Sequence, residues 1–325
     1  MNSLPKANCD ITRTNSPFRL GIFIYLLKMA QLDIFGNPIE ENRDLKRDFG
    51  ANPFTIFNTK DGMWQAKKRK WIGLGIKSEV GRDAVTFHMK DWADKKGQEG
   101  LLKGNKLPSD TSIFDPVLCE IVYRWFCVEN GKILDPFAGG SVRGIVANYL
   151  DYNYTGIELR EEQVRSNYEQ AKSIFGDDTQ KQPHWLIGDS NRVLDDIKNE
   201  DFDLVFTCPP YVNMEVYSDI DEDISNMDYD DFIFTLESIL RKSCKKLKHG
   251  GNLVIVVGEV RNKQGNYYGF VADTIKMIQK INGMYFYNDA ILETSLASAA
   301  LRAAKNMVSA KLVKVHQNVI MFRKL

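Results

Sequence analysis

The amino-acid sequence predicts an α/β fold: a doubly wound, mostly parallel sheet with an antiparallel edge strand, preceded by a smaller irregular N-terminal segment. Three observations predict it. From residue 131 onward, short apolar strand patterns alternate with amphipathic helical patterns across short connections. The run NLVIVVG (252–258) is apolar throughout, as a strand covered on both faces requires. The last two strand patterns, YFYNDAILET (285–294) and HQNVIMFRK (316–324), have no ordinary helical pattern between them, which predicts an antiparallel pair at one edge.

The elements follow in order. KILDPF (132–137) is a strand running into a Gly-rich turn, and SVRGIVANYL (141–150) is the helix after it. YTGIEL (154–159) is the second strand. REEQVRSNYEQAKSIF (160–175) is a helix with its acids early, where they suit the positive end of the helix dipole. HWLIGD (184–189) is a strand, NRVLDDIK a short helix, and FDLVFT (202–207) a strand stopped by two prolines, which cannot donate to a ladder. DYDDFIFTLESILRKSCKKLK (228–248) is a long helix closed by Gly250 and Gly251, and GFVADTIKMIQKI (269–281) is the last ordinary helix.

Residues 1–110 differ, being rich in Gly, Asn, Asp and Lys with only short periodic segments. The loop composition of GNKLPSDTS (104–112) sets the boundary, giving a segment 30–110 and a domain 111–325. The apolar run LGIFIYLL (20–27) is too short to span a bilayer, and no small-residue cleavage site follows it. Residues 1–29 read as a non-core extension, with Met29 a candidate natural start.

The 325 residues carry 43 basic and 43 acidic side chains, which excludes a uniformly basic nucleic-acid coat but not a local patch. Five scattered cysteines with no CxxC pair, and four distant histidines, argue against a metal site. They read as reduced thiols, so a cytoplasmic protein without a membrane segment is expected.

Three consecutive strand ends carry the chemistry. The turn in LDPFAGGS lets backbone approach a ligand and opens a helix whose N-terminal amides are unpaired. Glu158, about 20 residues on, ends the next strand, where an acid can accept from both hydroxyls of a ribose. Asp189 ends the third strand, where a carboxylate can receive an adenine amino group, although both acids could equally be helix caps. FAGGS lacks the GxGxxG spacing, which favours a nucleoside ligand without pyrophosphate.

On DPFAGGS, Glu158, Asp189, TCPPY and the upstream SIFDPVLCEIVYRWF (112–126), the chain resembles the S-adenosylmethionine-dependent DNA amino-methyltransferases over residues 110–325. The ending AKLVKVHQNVIMFRK (310–324) is similar to the last strand of such enzymes carried by phages and mobile elements. The resemblance implies a Rossmann-like methyltransferase sheet and the cofactor S-adenosylmethionine. It also implies cofactor contacts from Asp115, Pro116, Asp135, Pro136, Phe137, Ala138, Gly139, Gly140, Ser141, Glu158, Asp189 and Ser190, and a catalytic turn Cys208-Pro209-Pro210-Tyr211. Two positions depart from the family pattern: Ser141 replaces the last loop glycine, and Cys208 replaces the usual Asp, Asn or Ser.

The chemistry of the turn follows from its target. An exocyclic base amine is a poor nucleophile because its lone pair is delocalised into the ring. Acceptors around it localise the pair, and proline carbonyls accept without competing donors. Tyr211 offers a face to a base taken out of the duplex. Cys208 is nearest in size to the Ser of cytosine-amine enzymes, so the expectation leans to cytosine N4 over adenine N6. A ring-attacking nucleophile and an inert structural thiol remain the other readings of Cys208; ring-methylating families use a cysteine after the prolines.

Two basic stretches are candidate contacts to double-stranded DNA: Lys67, Lys68, Arg69 and Lys70 between Trp64 and Trp71, and Arg302, Lys305, Lys311 and Lys314 in an acid-free run. In the first, the indoles stack on bases or else sit in a core beneath a solvated basic loop. The chain has little room for a separate recognition domain, so recognition is expected from residues 30–110 and the insertions 212–227 and 295–315. An RNA methyltransferase and a non-catalytic nucleic-acid-binding protein are the rival classes. A homodimer and a cognate restriction nuclease stay open as partners.

Overall fold

The structure, a computed structural model, describes residues 45–76, 114–178, 182–198, 201–211, 220, 222–293 and 299–325. These belong to one compact unit, Asp44–Leu325. The extension 1–29, the boundary loop 104–112 and most of the 212–227 insertion lie outside the described residues.

Eight strands form one sheet: β1 (Ile56–Asn58), β2 (Lys132–Asp135), β3 (Asn153–Glu158), β4 (His184–Ile187), β5 (Phe202–Thr207), β6 (Leu247–Val257), β7 (Met284–Glu293) and β8 (His316–Lys324). Their order is β1-β7-β8-β6-β5-β2-β3-β4. Strands β4, β3, β2, β5 and β6 run parallel, and β8 enters antiparallel between β6 and β7. The chain moves outward from β2 through β3 to β4, then returns to the other side of β2 to start β5. The β2–β5 junction is therefore the switch point, where a crevice opens at the carboxyl ends of the strands.

The predicted strands and helices fall close to where periodicity puts them, except that the long helix stops at Lys245 and its expected closing residues, Gly250 and Gly251, lie within β6; burial explains the pattern. Along β6, Val254 and Val256 face one core while Leu253, Ile255 and Val257 face the other. Both faces are covered, so alternation disappears from the sequence and a continuous apolar run remains. The first core is closed by α3 (Pro116–Phe126), α4 (Val142–Tyr149) and α5 (Glu161–Phe175), the second by α6 (Ser190–Asp196), α7 (Tyr229–Lys245) and α8 (Phe270–Gln279).

Two elements depart from expectation. A helix, α9 (Ala299–Met307), joins β7 to β8. Its sequence, AALRAAKNM, consists of strong helix formers apart from Asn306, and at nine residues it is too short to give the extended periodic pattern of the longer helices. The N-terminal region also contributes to the sheet. The three-residue β1 pairs parallel with β7 and is pinned there by Thr59 Oγ1, which donates to the Glu293 carbonyl at 2.6 Å.

The basic stretch near residue 67 is helix rather than loop. Asp61 caps α2 (Gly62–Gly73), which follows a short α1 (Leu45–Phe49), by accepting from the Met63 amide. Trp64 and Trp71, two turns apart on one face, are buried against the first core. Their indole N–H groups donate to Asp115 and Glu120. Burial alone would raise the Glu120 carboxyl, but hydrogen bonds from Lys67 and Trp71 outweigh it and hold its pKa below the usual glutamate value. Among the described residues no helix is long and apolar enough to cross a membrane.

Candidate active site

The carboxyl ends of β2, β3, β4 and β5 meet at the switch point. Register places Asp135 beside Gly156 and Glu158 beside Ile187, so the Gly-rich turn and both acids share one edge with the CPPY turn.

Asp135 organises that edge. Its side chain is fully buried. One carboxylate oxygen accepts from the Phe137 amide at 3.1 Å and the Thr207 hydroxyl at 2.7 Å. The other accepts from Arg143 Nε at 2.6 Å and the Tyr154 hydroxyl at 2.7 Å. Burial pulls the Arg143 pKa down, but the Asp135 charge more than reverses this, so the guanidinium stands above its ordinary value. Arg143 in turn donates to the carbonyls of Phe137 and Ala138, fixing the turn from beneath. The sequence places Asp135 at the cofactor. Its carboxylate is instead committed to four protein donors, and it shapes the turn from below. Because Thr207 immediately precedes Cys208, the same carboxylate ties the Gly-rich turn to the CPPY turn.

Above Asp135 the turn is held from the side. Gly139 adopts φ +53°, and its amide donates to Glu158 Oε2 at 3.0 Å. Its carbonyl accepts from Asn167 at 2.8 Å. Asn167 belongs to a chain of side-chain bonds, from Arg160 to Gln163 and from Gln163 to Asn167. Gln170 on the same helix accepts from the Ser141 hydroxyl at 3.0 Å. Residues 160, 163, 167 and 170 lie in a 3-4-3 spacing on one face of the α5 region, forming a buried polar seam where an apolar stripe is usual. That spacing is present in the sequence, although polar residues at helical intervals ordinarily mark a solvated face. The seam also accounts for Ser141, which is buried and directed at α5, so its hydroxyl does not fill the crevice. At Gly156 any Cβ would stand 2.8 Å from that of Ala138, so only glycine lets β3 pass so close to the turn.

Both predicted acids double as local caps. Glu158 accepts from the amides of Gly139 and Arg160 and pairs with the Arg160 guanidinium at 3.4 Å. Asp189 caps α6 through the Asn191 amide and lies 3.8 Å from Arg192. Ser190 turns inward and donates to the Pro136 carbonyl. Asp115 caps α3 and also accepts from Trp64 and Lys68, and Pro116 is buried, so this pair holds the N-terminal helix in place. Phe114 carries no signal in the sequence. It lies between the Arg143 guanidinium, 4.5 Å from its ring centroid, and Phe206 at 5.8 Å.

Cys208 is half-buried against the first core. Burial drives the Cys127 and Cys244 thiols up to about 12 and Cys119 well above its ordinary value, which keeps those three protonated and inert. Pro209 is buried, while Pro210 and Tyr211 are half-buried. The Tyr211 ring meets Phe270 edge-on at 6.4 Å, and its hydroxyl accepts from Gln317 Nε2 at 2.8 Å. Gln317, at the start of β8, escapes sequence reasoning because nothing in a strand pattern marks which polar residue reaches across a site. Among the described residues no group of three His, Cys, Asp or Glu is arranged to hold a metal ion.

The predicted nucleic-acid residues divide. Lys67 pairs with Glu120 at 2.7 Å and Lys68 with Asp115 at 3.0 Å, while Arg69 and Lys70 are exposed. Both indoles are core, so the expectation that they stack on bases is corrected. Arg302 and Lys305 are exposed on α9, and Lys311 and Lys314 are half-buried at the entry to β8.

Residues 202–325 match the N6_N4_Mtase family model, described as DNA methylase. No curated protein matches. TrmN from Thermus thermophilus is 15% identical over 65% of this chain and 49% of its own, with a TM-score of 0.44. TTHA0409, also from Thermus thermophilus and proposed to be a DNA modification methylase, is 26% identical over 42% of this chain and 50% of its own, with a TM-score of 0.32. A TehB-like S-adenosylmethionine-dependent methyltransferase from Corynebacterium glutamicum is 15% identical over 73% of this chain and 97% of its own, with a TM-score of 0.38. The chain spans about half the length of the TrmN and TTHA0409 structures it matches. Over residues 202–325, the segment that carries the CPPY turn and the Gln317 contact to it, the chain is similar to the DNA methylase family.

Proposed function

We propose that this protein transfers a methyl group from S-adenosylmethionine to an exocyclic amine of a base in double-stranded DNA, with cytosine N4 as the target. The observation that carries this reading is the Asp135 carboxylate, which bonds at once to the Gly-rich turn and to Thr207 beside the CPPY turn. A methyl donor on the first turn and an amine on the second would lie within reach of each other. The catalytic domain is residues 111–325, and residues 45–76 add a strand and two helices to its body.

The residues fit the cofactor. Glu158 ends β3 beside the Gly-rich turn, the place for a ribose diol, and Asp189 follows β4, where its carboxylate can take an adenine amine. The Gly139 turn, held open by Gly156, lets backbone come close. When bound, S-adenosylmethionine supplies an electrophilic methyl on a sulfonium. The chain's own part is to bind and to orient. Carbonyls of the Pro-Pro turn accept from the target amine and hold its lone pair toward the donor. Tyr211, steadied by Gln317 and Phe270, presents a ring to the extruded base. Rate then comes mainly from positioning.

The reading is tested by incubating the full chain with labelled S-adenosylmethionine and duplex DNA, then digesting the DNA to nucleosides and weighing them. N4-methylcytosine is the expected product. N6-methyladenine would overturn the base assignment and keep the reaction class. Label in RNA alone, or in neither, would overturn the function.

For the cofactor, Glu158→Ala should weaken S-adenosylmethionine binding by about 2–3 kcal/mol, roughly 30- to 150-fold, because a charged acceptor is removed. Calorimetry reads this directly, and unchanged affinity would remove the assignment.

At Cys208, the side chain would be a second acceptor for the amine, and sulfur accepts poorly. Cys208→Ser should keep or raise the single-turnover rate, while Cys208→Ala should slow it by about 5- to 30-fold, or ~1–2 kcal/mol. Loss of all turnover in both, with a covalent adduct in the wild type, would indicate a nucleophile instead. Equal rates in all three proteins would mean that this side chain takes no part.

A further inference from the structure

The loop from β6 to α8 is a built hairpin whose two feet stand against Tyr211. At one foot, a Cβ added to Gly258 would lie 3.3 Å from the Tyr211 hydroxyl. At the other, Phe270 packs on the Tyr211 ring. Between them Arg261 and Tyr267 bridge antiparallel, and the Tyr268 amide donates to the Val260 carbonyl at 3.0 Å. The tip turns at Gly265, with φ +91°, and is pinned by Asn262, whose amide donates to the Asn266 carbonyl and whose side chain accepts from the Asn266 amide.

The surface of this hairpin is cationic and aromatic. The Arg261 guanidinium lies 3.7 Å from the Tyr267 ring centroid and donates to the Gly265 carbonyl. Lys263 is exposed, and Tyr267 is 45% exposed. The Lys311 ammonium, arriving from the α9–β8 connection, sits so close to the tip that a Cβ on Gly265 would be 1.9 Å from it. Among the described residues no carboxylate forms an ion pair with Arg261, Lys263 or Lys311. The adjacent acid, Glu259, is spent on the amides of Phe270 and Val271 at the start of α8. Three unneutralised cations, two on the hairpin and one against its tip, on an element whose feet pack on Tyr211, complement a phosphate backbone. An Arg stacked on an exposed Tyr adds a flat face to them.

We propose that the 259–269 hairpin is a DNA-binding element, in which Arg261, Lys263 and Lys311 hold the phosphates flanking the nucleotide that reaches Tyr211. This rests on the DNA methyltransferase reading and adds to it the place where the duplex backbone is gripped. Contacts of this kind are independent of sequence and release counterions.

The test is the salt dependence of duplex DNA binding by the full chain, read by fluorescence anisotropy, with S-adenosylmethionine affinity measured alongside. Each phosphate left without its cation should flatten the plot of log affinity against log salt by about 0.9, so the slope of the combined Arg261→Ala, Lys263→Ala, Lys311→Ala variant should fall by about 2.7. Its cofactor affinity should stay within about twofold of wild type, an affinity change worth less than about 0.5 kcal/mol. The pair Lys263→Ala, Lys311→Ala leaves the Arg261–Tyr267 stack intact and should flatten the slope by about 1.8, which covers the case in which the triple variant fails to fold. An unchanged slope in the pair, with wild type binding and methylating DNA, would overturn this inference and leave the function standing. Failure of the wild type to bind duplex DNA would overturn both. A slope change on single-stranded RNA with none on duplex DNA would overturn the assignment to DNA.

Discussion

One buried carboxylate holds the two halves of the site together. The Asp135 carboxyl group is buried in the centre of the sheet, where an uncompensated ion would cost several kcal/mol, and four donors surround it. Each donor fixes something different. Phe137 sets the start of the Gly-rich turn, Tyr154 sets β3, Arg143 locks the turn from below, and Thr207 sets the end of β5. Removing one donor would leave the others competing for a charge that has no access to water. The arrangement is therefore rigid where a methyl-transfer site needs rigidity.

Around that anchor, the polar seam of α5 performs the same task from the side. A helix facing a core normally presents an apolar stripe. Here Gln163, Asn167 and Gln170 are buried; Gln163 donates to Asn167, Asn167 donates to the Gly139 carbonyl, and Gln170 accepts from the Ser141 hydroxyl. Such networks are costly unless every member is satisfied, and satisfied they fix a single conformation. The Ser141 departure from the family's glycine belongs to this network rather than to the ligand space.

Much of this is legible in the sequence because it rests on periodicity and on strand ends. Parallel strands buried on both faces give apolar runs, and the residue at the end of each run must face the crevice. That logic finds Glu158, Asp189 and the CPPY turn. It cannot say what a side chain there bonds to, and the family resemblance, which implies ligand contacts for Asp135 and Asp115, does not reveal that both carboxylates bond to the protein itself. It fails where elements are short or unpatterned. β1 has three residues, α9 has nine, and the two tryptophans of α2 give no sign that their partners lie about 50 residues ahead. Gln317 and the packing of the 259–269 hairpin against Tyr211 and Lys311 depend on contacts between segments distant in sequence and are visible only once the chain is folded.

The central claim is that the Gly-rich turn and the CPPY turn act as one site through Asp135, and Thr207→Val tests it most directly. The change keeps shape and removes one hydroxyl, so the Gly-rich turn keeps its own bonds to Asp135 while the CPPY turn loses its link. Single-turnover methyl transfer with saturating S-adenosylmethionine should slow by roughly 10-fold, about 1.4 kcal/mol of barrier, while cofactor affinity stays within a few-fold of wild type. A folded Thr207→Val protein that transfers methyl groups at the wild-type rate would contradict the account.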